Sequence, residues 1–322
     1  MRSQTSTLRA AVAATAVGMM TIAGLAPPGR AEQVADAASA ADAEPSSAEP
    51  AAPAPELVNV GGLDWHVDYY AAYRAAAAEK RFLLINVLPA GSSAAQQGAE
   101  QTIATNARLQ QQLANVTRLR VPLDATIDVE GQPRRLTSFG SFAELAGGPG
   151  WVLIDLRNKD REFYGHAVSV LPYASGKYYH WRPDYLSVIL SIPAGTLSQR
   201  TMIWAVRVHP ENPQSTYGQH NPALAQGATQ QASYQANVGQ QGHQNFETRF
   251  HSLSAAAGSG VSEVCAESWP GQNLIDSCLD CVASWRQSSG HWRGVSGRHR
   301  AFGYDIRRGR NGIWYGTGIF AD

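Results

Sequence analysis

The side chains best suited to chemistry cluster in the last quarter of the chain. Cys265, Cys278 and Cys281 are the only cysteines among 322 residues. Cys278 and Cys281 have the Cys-x-x-Cys spacing, which supports thiol–disulfide exchange when the first thiol stands at the amino end of a helix as a thiolate. Residues 274–285 instead read as one helix with the pair well inside it, beside Asp276 and Asp280, and neighbouring acids raise a thiol pKa. The expectation is a structural disulfide from Cys265 to Cys278 or Cys281, formed in an oxidising compartment, with one thiol left over. Three segments carry the other polar candidates: 241–246 with His243, 261–269 with Glu263 and Glu267, and 285–292 with Trp285 and His291. Ser92 and Ser93 have no base nearby in sequence and read as turn residues, not nucleophiles.

The elements that would position these groups follow from hydrophobic patterning. Arg2 and Arg9, an apolar stretch over 10–25 and small residues at 29 and 31 make residues 1–31 an export signal. Residues 32–56 are rich in Ala, Pro, Glu and Ser, too poor in bulky apolar groups to offset ordering entropy, and read as a tether. Beyond the signal no stretch is apolar enough to span a bilayer. From residue 57 strands and helices alternate: Trp65, Tyr69, Ala72, Tyr73 and Ala76 at helical spacing, then a continuous apolar strand at 82–88. Helical sequence at 94–114, strands at 116–123, 151–155 and 162–167, and a helix at 183–192 come next. Residues 202–213 read as a join. An alanine-faced helix covers 221–241, and alternating strands close the chain at 302–306 and 312–320. Such alternation predicts an α/β layer architecture.

Residues 57–205 resemble the thioredoxin-like superfamily. The resemblance rests on Trp65 leading a helix that ends in Glu79-Lys80, the 82–87 strand, and a Gly-Pro pair just before the 151–155 strand. It implies a thioredoxin-like α/β domain with Pro149 as a cis-proline, since X–Pro is the one bond that adopts cis cheaply. The family's two cysteines are missing. Their place is taken by residues 89–94, Pro-Ala-Gly-Ser-Ser-Ala, and without a thiolate no disulfide exchange can run there. A spacer or peptide-docking role is what remains.

Residues 207–322 resemble the CAP/SCP superfamily of secreted domains, on a helix leading to His243, a glutamate segment at Glu263, the Trp285 to Gly290-His291 segment, and a closing hairpin. The resemblance implies an α-β-α sandwich in which His243, Glu263 and His291 meet in one cavity. Such a set could hold a divalent metal such as zinc with a position open. It also implies Glu267 and Trp285 as ligand-pocket residues. The family's second cavity glutamate is missing beside Trp285, and Glu267 is the residue that could replace it. The alternative for the three polar groups is a hydrogen-bonded core network.

The functional expectation is an exported binding or scaffold protein, not an enzyme. The rival is a metal-assisted hydrolase with Glu263 as base on a metal-bound water. Basic and acidic residues both number 26, so no long-range field favours nucleic acid. Arg293, Arg298, Arg300, Arg307, Arg308 and Arg310 crowd the last segment, and read as a solvated loop or a patch for an anionic group. A small ligand, a lipid or a cell-surface polysaccharide are the partners these features admit. Oligomeric state is not encoded in any of them.

Overall fold

The computed structural model describes residues 56–322; the segments expected to be an export signal and a tether, up to residue 55, lie outside the described residues. The chain opens with a hairpin of β1 (Leu57–Val60) and β2 (Leu63–His66), turned by Gly61 and Gly62 with φ of +62° and +80°. Asp68 caps α1 (Tyr69–Ala78) by accepting from the Ala71 N–H. The apolar run then forms β3 (Phe82–Leu88), buried over six residues as a central strand requires. After α2 (Ala94–Thr105) and α3 (Ala107–Ala114), β4 (Thr117–Pro122) pairs parallel with β3. A separate hairpin of β5 (Thr126–Val129) and β6 (Gln132–Arg135) follows. Then β7 (Gly150–Asp155) and β8 (Ala167–Pro172) add antiparallel, completing a mixed sheet of order β1-β2-β4-β3-β7-β8.

Three sequence expectations shift here. Trp65, read at helical spacing with the first helix, lies in strand β2. The strand placed at 162–167 starts at Ala167, because Gly165 turns the chain with φ +75°. Pro149 is not a cis-proline: among the described residues no peptide bond is cis. Ala146 and Gly147, with φ of +51° and +76°, reverse the chain before β7 without one.

The helix pair α4 (Tyr185–Ser191) and α5 (Leu197–Arg207) joins the halves. The expected join at 202–213 is therefore wrong over residues 202–207, which are helical. Thr196 and Gln199 form a capping box, and seven consecutive residues, Arg200 to Val206, are buried. The buried stretch includes Arg200 and Thr201, so burial here is not announced by an apolar stripe. It packs against β8 on one side and against β11 and α8 on the other.

The second sheet has order β10-β12-β11-β9, from β9 (Gln219–His220), β10 (Val261–Glu267), β11 (Ala301–Arg308) and β12 (Trp314–Ala321). One face takes α6 (Pro222–Val238) and α7 (Phe246–Ala257), the other α5, α8 (Leu274–Gln287) and α9 (Ser289–Ser296). The chain is thus α/β, and its last third is a layered α-β-α arrangement. Gly303 is what lets α6 lie so close: a Cβ there would fall 2.2 Å from the Ala225 nitrogen.

The expected disulfide is not formed; all three cysteines are free and buried. Strand alternation explains it. Cys265 pairs with Thr317 and points to the α6 side, with its Sγ 3.9 Å from Thr317 Oγ1. Cys281 on α8 lies over the neighbouring Gly316, whose Cβ position is 3.2 Å from its Sγ, on the other face. The sheet separates the two sulfurs.

Candidate functional site

The expected cluster forms at the edge strand β10. Helix α6 ends at Val238 with Gly239 left-handed, so His243 sits in the loop to α7 and not at the helix end. Buried glutamines of α6 fix that loop. Gln231 Nε2 donates to the Gly242 carbonyl at 2.7 Å, and Gln235 Oε1 accepts from the Gly242 N–H at 3.1 Å. Glu263 projects from β10 with its side chain wholly buried. His291 stands in the first turn of α9, half-buried.

The geometry is a chain of contacts. Arg249 of α7 donates to both carboxylate oxygens of Glu263, at 2.7 Å to Oε2 and 3.2 Å to Oε1. Glu263 Oε1 lies 3.1 Å from His243 Nδ1. His243 Nε2 faces His291 Nε2 at 3.4 Å. A buried carboxylate at Nδ1 holds the proton there, so His243 presents the lone pair of Nε2 outward. Burial, with His243 adjacent as the smaller cause, lowers the His291 pKa and keeps that imidazole neutral.

Two imidazole nitrogens at this separation match two ligands of one tetrahedral ion, for which nitrogens about 2.0–2.1 Å from zinc lie about 3.4 Å apart. The donor set therefore fits a divalent cation between the two Nε2 atoms. Glu263 does not fit as a direct ligand, because Arg249 and His243 already engage its oxygens. It stands behind His243 as an orienting group. Cys265 Sγ approaches Glu263 Oε1 at 3.6 Å, and His243, Glu263 and Cys265 converge closely enough to form a metal-type cluster. Burial and then the Glu263 charge raise the Cys265 thiol well above its ordinary pKa, so it stays protonated at neutral pH.

The remaining sequence candidates fall elsewhere. Glu267 is exposed on β10, four residues and about 13 Å along the strand from Glu263. Trp285 is fully buried on α8, with its ring 5.9 Å from that of Tyr304; it is a core residue. Ser93 caps α2 and Ser92 accepts from Gln97 Nε2, so the serine turn is structural. The arginine-rich segment is divided. Arg307 bonds Asp305, Arg300 reaches the Ala257 carbonyl, and Arg308 lies over Trp314. Arg249, which decides the role of Glu263, was not singled out in the sequence, since an arginine on a helix is ordinary.

Two clefts lie at the seam between the sheets. One of about 590 Å³ is lined by Asn158, Arg161, Gln199, His220 and Gln226 among others. The other, of about 390 Å³, includes Glu144, Arg308 and Trp314. Among the described residues no helix is long and apolar enough to cross a membrane. Comparison with known proteins finds no matching family model, no matching curated protein and no matching solved structure.

Proposed function

We propose that this chain is an exported binding protein that holds a divalent cation, zinc being the best fit, between His243 and His291. The observation that carries this reading is the facing pair of Nε2 atoms at 3.4 Å, one with its tautomer set by Glu263. Bound there, the ion would supply a Lewis-acidic contact for an oxygen or nitrogen of a small ligand. The protein's own groups do the rest: Glu263 orients His243, Arg249 neutralises Glu263, and α9 presents His291.

The same contacts weigh against the metal-assisted hydrolase. A general base must accept a proton, and a carboxylate forked by a guanidinium is a poor acceptor. The layered sheet under α6 and α9 supports the CAP/SCP resemblance, and the mixed β4-β3-β7-β8 order supports the thioredoxin-like one. In that reading the first half is a redox-inactive spacer or docking surface, and the N-terminal segment directs export.

Calorimetric zinc titration of the purified chain tests this. One equivalent should bind to the wild type, while H243A and H291A should each weaken binding at least about tenfold with little change in folding. Equal binding by H291A would overturn the site. Hydrolysis of generic peptide and ester substrates that disappears in E263Q would replace it with the hydrolase.

A further inference from the structure

We propose a second ligand site, for a short zwitterionic peptide, in the 590 Å³ cleft at the seam between the two sheets. Three segments wall it: residues 158–163 of the β7–β8 loop, residues 193–199 leading into α5, and residues 220–230 of β9 and α6. The volume lies in the roughly 300–1,000 Å³ range of small-ligand sites. The starting observation is which of its polar side chains are already bonded and which are not.

Some of the lining is spent on the walls themselves. Asp155, wholly buried, accepts the Arg157 and Asn158 N–H groups at 2.9 and 3.0 Å and Asn158 Nδ2 at 2.7 Å, which fixes the start of the loop. Arg200 Nη1 donates to the Pro193 carbonyl at 2.7 Å. Gln199 Nε2 donates to Thr229 Oγ1 at 3.2 Å and ties α5 to α6. The walls are thus set before a ligand arrives, which lowers the ordering cost of binding. The other polar groups are unspent. Among the described residues no hydrogen bond or ion pair engages the side chains of Arg161, Glu162, Gln226 or Gln230, and all four are exposed. His220 lines the cleft as well, and its Nε2 is buried without a hydrogen-bond partner, a rare condition.

The chemistry of the unspent groups selects the ligand. A guanidinium takes a carboxylate through two parallel N–H bonds, and a carboxylate takes an ammonium. Arg161 and Glu162 supply one of each. Burial, and after it the Arg200 charge, lowers the His220 pKa, so that imidazole is neutral and adds no charge. Lys159 and Asp160 in the same loop cancel, and Arg157 lies over the Phe82 ring. The cleft therefore matches a ligand with one charge of each sign, while a polyanion or polycation would meet a group of its own sign. Gln226 and Gln230 stand one turn apart on α6, and each primary amide offers donors and an acceptor, the complement of a peptide group's C=O and N–H. A single amino acid carries both charges but no peptide group. Phe163, Pro193 and Pro222 supply apolar wall for its side chains.

The test is calorimetry on the purified full chain with trialanine and trileucine, each also as its N-acetyl form, its C-terminal amide and the doubly blocked form. At least one free tripeptide should bind, and blocking either terminus should weaken it at least about tenfold. R161Q should weaken the free tripeptide at least about tenfold yet leave the affinity for the C-terminal amide unchanged, and E162Q should do the same with the N-acetyl form. Q226A with Q230A should weaken every form about threefold. Melting temperatures should hold, because these side chains are exposed and unbonded. Zinc binding should be the same in R161Q as in the wild type, which separates this cleft from the cation site. No tripeptide binding at millimolar concentration, or binding indifferent to R161Q and E162Q, would overturn the assignment. So would a doubly blocked tripeptide that binds as tightly as the free one.

Discussion

Among the buried charged groups of the described residues, Arg200 and Glu263 are compensated in different ways. Arg200 on α5 is 1% exposed, and its guanidinium is enclosed by backbone carbonyls of Val168, Ile189, Ile192 and Pro193 and by Ser169 Oγ. Burial pulls its pKa down to about 9, still above neutrality, so it remains charged. Each of its three nitrogens donates to at least one fixed acceptor. The Glu263 side chain is also buried, but its partners are Arg249 and an imidazole that is 42% exposed and whose second nitrogen faces His291 Nε2. A closed network fixes structure. A network that ends at the surface on a lone pair is equipped to bind.

The sharpest test of the closed side is R200M. Removing the guanidinium leaves several buried carbonyls without donors, each costing about 1–3 kcal/mol, so a loss of at least about 4 kcal/mol is expected in urea unfolding. A loss below about 1 kcal/mol would erase the distinction. R249M probes the open side. It leaves the Glu263 carboxylate buried without its guanidinium, for an expected loss of about 2–3 kcal/mol, reduced from that of a fully buried pair because Arg249 is partly exposed. Zinc should still stabilise R249M, since Glu263 keeps its bond to His243 Nδ1 and both Nε2 atoms remain in place; melting with and without zinc reads this directly.

A smaller effect concerns the thiols on the two faces of the sheet. Burial raises the Cys278 and Cys281 pKa values, as it does for Cys265. At pH 8 none should react with iodoacetamide in the native protein, and three should react in denaturant without reductant. Two unreactive thiols in denaturant would restore a disulfide. The smallest effect is on pH dependence. Burial raises the Glu144 pKa above its ordinary 4.5. Above 4.5 the unfolded chain releases this proton first, so the Glu144 contribution to stability declines as pH rises through the folded value. E144Q should flatten that slope in melting curves taken from pH 4 to pH 8.

Much of the frame was legible residue by residue. The 82–88 and 151–155 strands, the alanine-faced helix and the closing hairpin all read from local period, because burial on one or both faces imprints itself on neighbouring residues. The same holds for the inert turn at 89–94, where the missing thiols alone exclude redox chemistry. The α5 helix did not read, since its buried stretch includes Arg200 and Thr201 and so presents no purely apolar stripe. Its capping box, Thr196 and Gln199, was the one local signal available.

The sequence alone thus determined which segments become strands and helices and which chemical groups are on hand, because both depend on residues a few positions apart. Only the tertiary structure decided which of those groups meet. It put Cys265 and Cys281 on opposite faces of a sheet, set Arg249 against Glu263, and turned two imidazoles toward each other across 48 residues of chain. Those outcomes depend on strand order and helix packing at the edge of β10, where contacts between residues distant in sequence leave no periodic trace.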